Sequence, residues 1–376
     1  MELEQCIGNP KSMLDTPCLT LDINIFEKNL ALMHNFVTAA GKKMRPHIKT
    51  HKCSEIAKMQ LRTDGCVGLC AAKVSEAAEL IAAGLSDILI TSPVVTDQKI
   101  AVLMKCAEDA SGIMVVVDNK ENADALCRAA AESCLKLKVL VDIDPVMGRT
   151  GVAYEDALEL GKYIASLPSL ELNGIQCYAG HIQHLKFFEQ RHESSLSAMR
   201  RAAEVYHQFK REGLNCEIFT GTGTGTFNID CEVPEITDFQ VGSYCVMDAE
   251  YLQVGGKINP DRFDLFKPAL SLQASVISVN QPDFVTIDAG LKTLYYTPHA
   301  PPMVLSPVGS GWRYEWFGDE HGRVYFPPGM KPALGSRIEL TAPHCDPTIN
   351  LFDSMWITRD NVVIDCWKID LRGHCL

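Results

Sequence analysis

"GIMVVVDNKENADALCRAAAESCLKLKVLVDID" occupies residues 112–144. Its two ends, "GIMVVVD" and "LKVLVDID", are apolar almost throughout, which fits strands of a parallel sheet covered on both faces. Between them "KENADALCRAAAE" spaces its apolar residues as a helix does. The stretch therefore reads as one strand–helix–strand unit. Whether that unit repeats decides the fold.

It does repeat. Candidate strands lie near 43–49, 66–70, 87–91, 113–117, 136–142, 171–177, 216–220 and 237–241. Helical patterns fall between them, among them "KVSEAAELIAAG", "TDQKIAVLMKCAEDA", "YEDALELGKYIASL" and "EQRHESSLSAMRRAAEVYHQFKREG". A further helix, "NIFEKNLALMHNFVTAAG", starts near Asp22 and stops at Gly41. Eight strands separated by helices predict a (β/α)8 barrel of the TIM type, with a doubly wound open sheet as the alternative. After about residue 262 the pattern turns β-rich, with Gly and Pro turns: "LSLQASVISV", "FVTIDAG", "RVYFPPG", "SRIELTAP" and "NVVIDCWKIDLRG". The expectation is an α/β chain with a barrel over 23–262 and a β domain made of 1–22 plus 263–376.

Apolar residues make up 47% and charged residues 22%, an ordinary globular balance. The net charge of −12, without a block of Lys and Arg, argues against a nucleic-acid or membrane-surface partner. The N-terminal residues carry no basic and apolar leader pattern, and no apolar run has the length of a membrane span. The fifteen cysteines include no C-x-x-C pair. They sit in apolar segments, as Cys66, Cys70, Cys127 and Cys134 do, and read as buried thiols of a cytoplasmic protein.

Two stretches carry chemistry. The first is "KMRPHIKTHK", residues 43–52, at the end of the first barrel strand. In an extended chain Arg45, His47, Lys49 and His51 would share a face. Lys49 falls at the C-terminal end of the strand, where barrels place their chemistry. A lysine desolvated among cations loses its proton more easily and can form a Schiff base. A solvated basic edge is the other reading of the same residues. The second stretch is "FTGTGTGTFNID", residues 219–230, after the seventh strand. Its glycines would let the backbone approach an anion, and its threonine hydroxyls could donate to one. It lacks the lysine of a Walker loop. A basic lysine after strand one and a phosphate cradle after strand seven together point to pyridoxal phosphate.

With these residues in hand, "RPHIKTHK", "AKVSEA", "GTGTGT", "VGSYCVMD" and "IDAGLK" resemble, in order, the eukaryotic-type D-serine dehydratase and D-threonine aldolase family. That resemblance implies the alanine racemase-like fold, a barrel followed by a β domain. It implies that Lys49 carries the cofactor and that Thr222, Gly223, Thr224 and Gly225 bind its phosphate, helped by Gly242 and Ser243. Arg149 and Tyr178 would line the cofactor, His184 would stand close to substrate and metal, and His344 and Asp346 would hold the metal. It also implies a homodimer, with the β domain of one subunit contributing to its partner's active-site entrance. Ala179 departs from the histidine seen in relatives, and Val146 and Met147 depart before the "GR" of residues 148–149.

The reaction turns on "TAPHCDPTINLFD", residues 341–353. If residues 344–346 are extended, His344 and Asp346 share a face and Cys345 points away. An imidazole and a carboxylate suit Mn2+ or Mg2+, whereas a thiolate favours Zn2+. Within the family, His-x-Asp resembles the aldolases and His-x-Cys the dehydratases. The expectation is an aldolase that cleaves D-threonine and other β-hydroxy-D-amino acids to glycine and an aldehyde. Lys49 would hold the cofactor, and the metal would bind the β-hydroxyl. His184, or a water on the ion, would take the hydroxyl proton. The alternatives are a D-serine or 3-hydroxy-D-aspartate dehydratase, a β-hydroxyaspartate aldolase, and a cofactor-carrying protein without turnover.

Overall fold

The computed structural model describes residues 3–376, with the side chains of residues 3 and 4 left aside. The chain divides into two units. One comprises residues 33–49, 54–242 and 373–376; the other comprises the described part of 1–32 with 50–53 and 243–372. The division falls between Gly242 and Ser243, earlier than the change of pattern near residue 262 that the sequence shows.

Strand β1 (Cys18–Asp22) belongs to the second unit; the next eight strands form the first. They are β2 (Lys43–Met44), β3 (Leu69–Ala71), β4 (Ile88–Ile90), β5 (Met114–Val117), β6 (Leu137–Ile143), β7 (Leu170–Cys177), β8 (Ile218–Gly221) and β9 (Asp238–Phe239). All are parallel, in the order β2-β9-β8-β7-β6-β5-β4-β3. Isolated parallel bridges at Met44–Cys66 and His47–Cys70 join the two ends of that order, so the sheet closes on itself. All eight expected strands are present. The first is shorter than the expected 43–49. Regular pairing stops at Met44, the chain stays extended to His47, and a 3-10 turn covers Ile48–Thr50.

The barrel interior is layered. Cys70, Leu89, Met114, Val116 and Leu140 make an apolar cluster with Ile218 against it. Two residues along β6 from Leu140, on the same face, is Asp142. It opens a polar layer towards the C-terminal ends of the strands. Gln176 Nε2 donates to Asp142 Oδ1 at 2.8 Å and to Thr91 O at 3.1 Å, and Gln240 Nε2 donates to Gln176 Oε1 at 2.9 Å. Gly174 is required by crowding. A Cβ there would lie 1.9 Å from Ile218 O, and φ is +146°.

The second unit is a nine-stranded sheet. β10 (Leu270–Ser278) pairs antiparallel with β1 and with β11 (Phe284–Ile287) and β15 (Arg337–Leu340). β12 (Val304–Ser306) pairs with β15, and β13 (Arg313–Trp316) with β14 (Gly322–Tyr325), which joins β11. β16 (Ser354–Arg359) runs parallel to β1 and antiparallel to β17 (Val362–Lys368).

None of the fifteen cysteines forms a disulfide, and most are buried. Cys134 is an exception to the expectation of burial: it is exposed, in a turn at φ +55° just past the helix Lys120–Glu132. Among the described residues no helix is long and apolar enough to cross a membrane.

Candidate active site

In the barrel unit, Lys49 sits half-buried in the 3-10 turn that follows β2. The turn changes the expected geometry. Arg45 and His47 alternate on extended chain, but a 3-10 turn has three residues per turn, so Lys49 and His51 leave the shared face. Nor is the stretch a solvated edge. Arg45 is buried, with Nε 3.7 Å from Asp238 Oδ1, and donates to Asp87 O at 3.3 Å. His47 is also buried, and its neighbours assign its tautomer. Thr91 Oγ1 donates to Ala71 O at 3.2 Å, so at 3.1 Å it accepts from His47 Nε2–H. The other ring nitrogen, Nδ1, then accepts the Lys49 backbone N–H at 3.4 Å. The turn carrying Lys49 is thus tied to the barrel interior.

The loop after β8 is shaped by residues that sequence patterns did not single out. Gln183 is fully buried beneath it. Its Oε1 accepts Gly225 N–H at 3.0 Å and its Nε2 donates to Thr226 Oγ1 at 3.0 Å. Thr226 Oγ1 donates to Asp230 Oδ2 at 2.7 Å, Ser195 Oγ donates to Asp230 Oδ1 at 2.5 Å, and Arg191 Nε donates to Gly225 O at 2.8 Å. Burial pushes the Asp230 carboxyl up to about 6, against the pull of these hydroxyls. A Cβ at Gly223 would lie 2.3 Å from Gln183 Oε1, and one at Gly225 2.1 Å from Gln183 O. The glycines at these positions are therefore demanded by Gln183.

Thr222 is the residue of this loop that fits a phosphate. It is β-branched yet held at φ +63°, a strained conformation that persists only where the surroundings enforce it. Its buried hydroxyl points at the Asp230 carboxyl but finds no hydrogen bond of proper geometry among the described residues. An anionic oxygen would satisfy it. Thr224 is buried in the same loop, and Gly242 is buried at the end of the unit. Ser243 opens the other unit, in the 3-10 turn Ser243–Cys245.

Arg149 and Tyr178 come together: the guanidinium carbon lies 5.5 Å from the ring centroid. Arg149 follows a tight turn in which Asp144 Oδ1 accepts Met147 N–H at 2.7 Å and Gly148 N–H at 3.1 Å. Val146 projects into solvent from that turn at φ +67°, and Met147 Sδ packs near Gly180. Ala179 is buried, and its carbonyl accepts from Gln183 Nε2 at 3.3 Å. His184 is exposed, one residue past Gln183.

In the β unit, His344 and Asp346 face each other, with Nε2 3.8 Å from Asp346 Oδ1. The reason is not an extended chain. Only His344 is extended; Cys345–Ile349 is a short helix whose first turn brings Asp346 round. Cys345 is turned the other way, fully buried, with its thiol donating to Met247 O at 3.3 Å. Burial, with Asp248 and Asp346 adding, holds that thiol well above its usual range. Sequence patterns also missed Asp248 and Glu250. Asp248 Oδ2 is 2.9 Å from His344 Nδ1 and Glu250 Oε2 is 3.5 Å from it. Burial alone would lower the His344 pKa, but the carboxylates of Asp346, Asp248 and Glu250 outweigh it and hold it at about 9. A cation would take the place of that proton. Among the described residues no three His, Cys, Asp or Glu side chains are arranged to chelate one ion. A pair remains, and its 3.8 Å separation lies within the span of about 4.2 Å open to two donors on one ion. The donor set therefore fits a divalent cation completed by water.

Residues 21–249 match the family model of the alanine racemase N-terminal domain, and residues 269–358 match that of the serine dehydratase domain. The chain is 38% identical to a D-threonine aldolase of Arthrobacter sp, over 97% of this chain and 95% of that protein. The chain belongs to the D-threonine aldolase and D-serine dehydratase family. Members of this family with the alanine racemase-like fold are pyridoxal phosphate enzymes. The chain is also 33% identical to a 3-hydroxy-D-aspartate aldolase of Paracoccus denitrificans, over 97% of this chain and 94% of that protein. Among solved structures, a D-threonine aldolase from Filomicrobium marinum superposes with a TM-score of 0.90 at 32% identity, covering 100% of both chains. A D-threo-3-hydroxyaspartate dehydratase from Delftia sp. HT23 shares the fold, with a TM-score of 0.83 at 23% identity over 96% of this chain and 98% of that one.

Proposed function

We propose that the protein is a pyridoxal phosphate- and divalent metal-dependent aldolase. It cleaves D-threonine and related β-hydroxy-D-amino acids to glycine and an aldehyde. The observation that carries this reading is the direction of Cys345. With its thiol buried against Met247 O, the pair facing each other is an imidazole and a carboxylate. That pair suits Mn2+ or Mg2+ better than Zn2+, which would be the ion of a dehydratase.

When bound, pyridoxal phosphate supplies an electron sink for the cleaved bond and the cation supplies Lewis acidity at the β-hydroxyl. Lys49 is the residue that holds the cofactor. The Thr222 hydroxyl, with Gly223, Thr224, Gly225, Gly242 and Ser243, takes its phosphate. Arg149 and Tyr178 line the ring. His344 Nε2 and Asp346 hold the cation, and His184 accepts the β-hydroxyl proton. The proposal extends to a homodimer located in the cytoplasm, supported by the family likeness and by fifteen cysteines of which none forms a disulfide. A 3-hydroxy-D-aspartate aldolase is the second reading, favoured by the 33% identity to such an enzyme.

The test is product identification with purified, metal-supplemented protein. D-threonine should yield glycine and acetaldehyde, and D-serine should yield no pyruvate. Pyruvate from D-serine, with no aldehyde from D-threonine or 3-hydroxy-D-aspartate, would refute the aldolase.

A further inference from the structure

Resting on that reading of His344 and Asp346, we propose that Asp248 is a positioning residue of the metal centre. It fixes the His344 ring so that Nε2, not Nδ1, is the atom presented to the cation. Asp248 is fully buried, unlike His344, Asp346 and Glu250 around it. A buried carboxylate is costly unless donors surround it. Here three N–H groups do so. Oδ1 accepts from Tyr251 N at 3.0 Å; Oδ2 accepts from Cys345 N at 3.0 Å and faces His344 Nδ1 at 2.9 Å.

Those three bonds give the carboxylate two jobs. It caps the short helix Ala249–Leu252 and takes a backbone N–H at the start of Cys345–Ile349, so it joins the two segments. Backbone bonds from Ala249 N to Ala342 O and Glu250 N to Pro343 O, at 3.0 and 3.1 Å, hold the same segments together. The carboxylate also decides the chemistry of the ring. An ionised carboxylate only accepts, so Nδ1 must carry the proton and the lone pair falls on Nε2. That nitrogen is the one facing Asp346 Oδ1. A carboxylate on the far nitrogen also makes the imidazole a more basic ligand. Met247, just before Asp248, is held at φ +50°, the turn that delivers the carboxylate into the interior. Asp248 is not itself available as a ligand without giving up these bonds.

The experiment is calorimetric titration of Mn2+ into cofactor-loaded protein, for the native chain and for Asp248→Asn, His344→Ala and Asp346→Ala. Asp248→Asn keeps one accepting oxygen and turns an NH2, which only donates, towards the N–H groups on the other side. Where its far-UV spectrum and cofactor absorbance match the native protein, Mn2+ should bind about 10–100-fold more weakly. Mn2+ affinity in Asp248→Asn within about twofold of native would overturn the proposal. If His344→Ala and Asp346→Ala then lose affinity, only the role of Asp248 falls; if they too bind as native, the metal pair itself is wrong. Should Asp248→Asn not fold, the native protein decides. With 15N-labelled histidine and Zn2+ as a diamagnetic probe, His344 should show a protonated Nδ1 and a metal-bound Nε2. Zn2+ on Nδ1 would overturn the assignment.

Discussion

Replacing Asp230 with Asn should flatten the dependence of stability on pH. Asp230 is fully buried under the β8 loop, and its carboxyl is raised from 3.8 to about 6, chiefly by burial. A carboxyl raised in the folded state binds its proton more tightly there than in the unfolded chain. Well below pH 3.8 it is protonated in both states and costs nothing extra. As pH rises from about 4 through 6 the unfolded chain ionises first, so stability falls over that window. The gap between 3.8 and about 6 is worth about 3 kcal/mol, at about 1.4 kcal/mol per pH unit. Asparagine cannot ionise and keeps the shape, so this loss disappears. Urea unfolding of both proteins at pH 4 and pH 7 gives two stability differences. Asp230→Asn should gain about 2 kcal/mol of this on the native protein between them. Other groups titrate alike in both proteins and cancel. If the difference is the same at the two pH values, the carboxylate is not held as the geometry implies.

Gly225→Ala puts a Cβ 2.1 Å from Gln183 O, a backbone atom that cannot swing aside. It should cost at least about 1–3 kcal/mol by thermal unfolding and loosen the cofactor, and native-like melting with retained yellow colour would contradict this. Borohydride reduction followed by peptide mapping should find the cofactor on Lys49; attachment at Lys43, Lys52 or Lys73 would reassign the site. After chelation, Mn2+ should restore aldehyde formation in Cys345→Ser, whose hydroxyl can still donate to Met247 O, but not in Asp346→Ala. The reverse pattern would make the thiol the ligand.

The barrel was legible because its signal is local. Strands such as β5 and β6 are buried on both faces, and that alone forces the apolar runs seen in residues 112–144. The glycine–threonine loop and the lysine after the first strand were equally plain, since turn residues and charges report on their own neighbourhood. The strand pattern was less reliable where the backbone changes type. Residues 43–49 look extended throughout, yet a 3-10 turn rotates Lys49 off the face of Arg45 and His47. His344 and Asp346 do meet, but through a helical turn and not through strand alternation. Their meeting was readable because two spacings lead to the same pair.

The partners of these groups were not readable. Gln183 holds a loop 42 residues away, and Asp248 holds a histidine 96 residues away. Nothing in composition or period marks either residue, because their environment is made only when the closed sheet and the paired segments 249–250 and 342–343 bring distant backbone together. Composition and periodicity report which residues avoid water. Which buried polar atom answers another is a matter of distances in the folded chain, and these set the tautomer of His47, the need for glycine at 225 and the nitrogen that His344 turns towards Asp346.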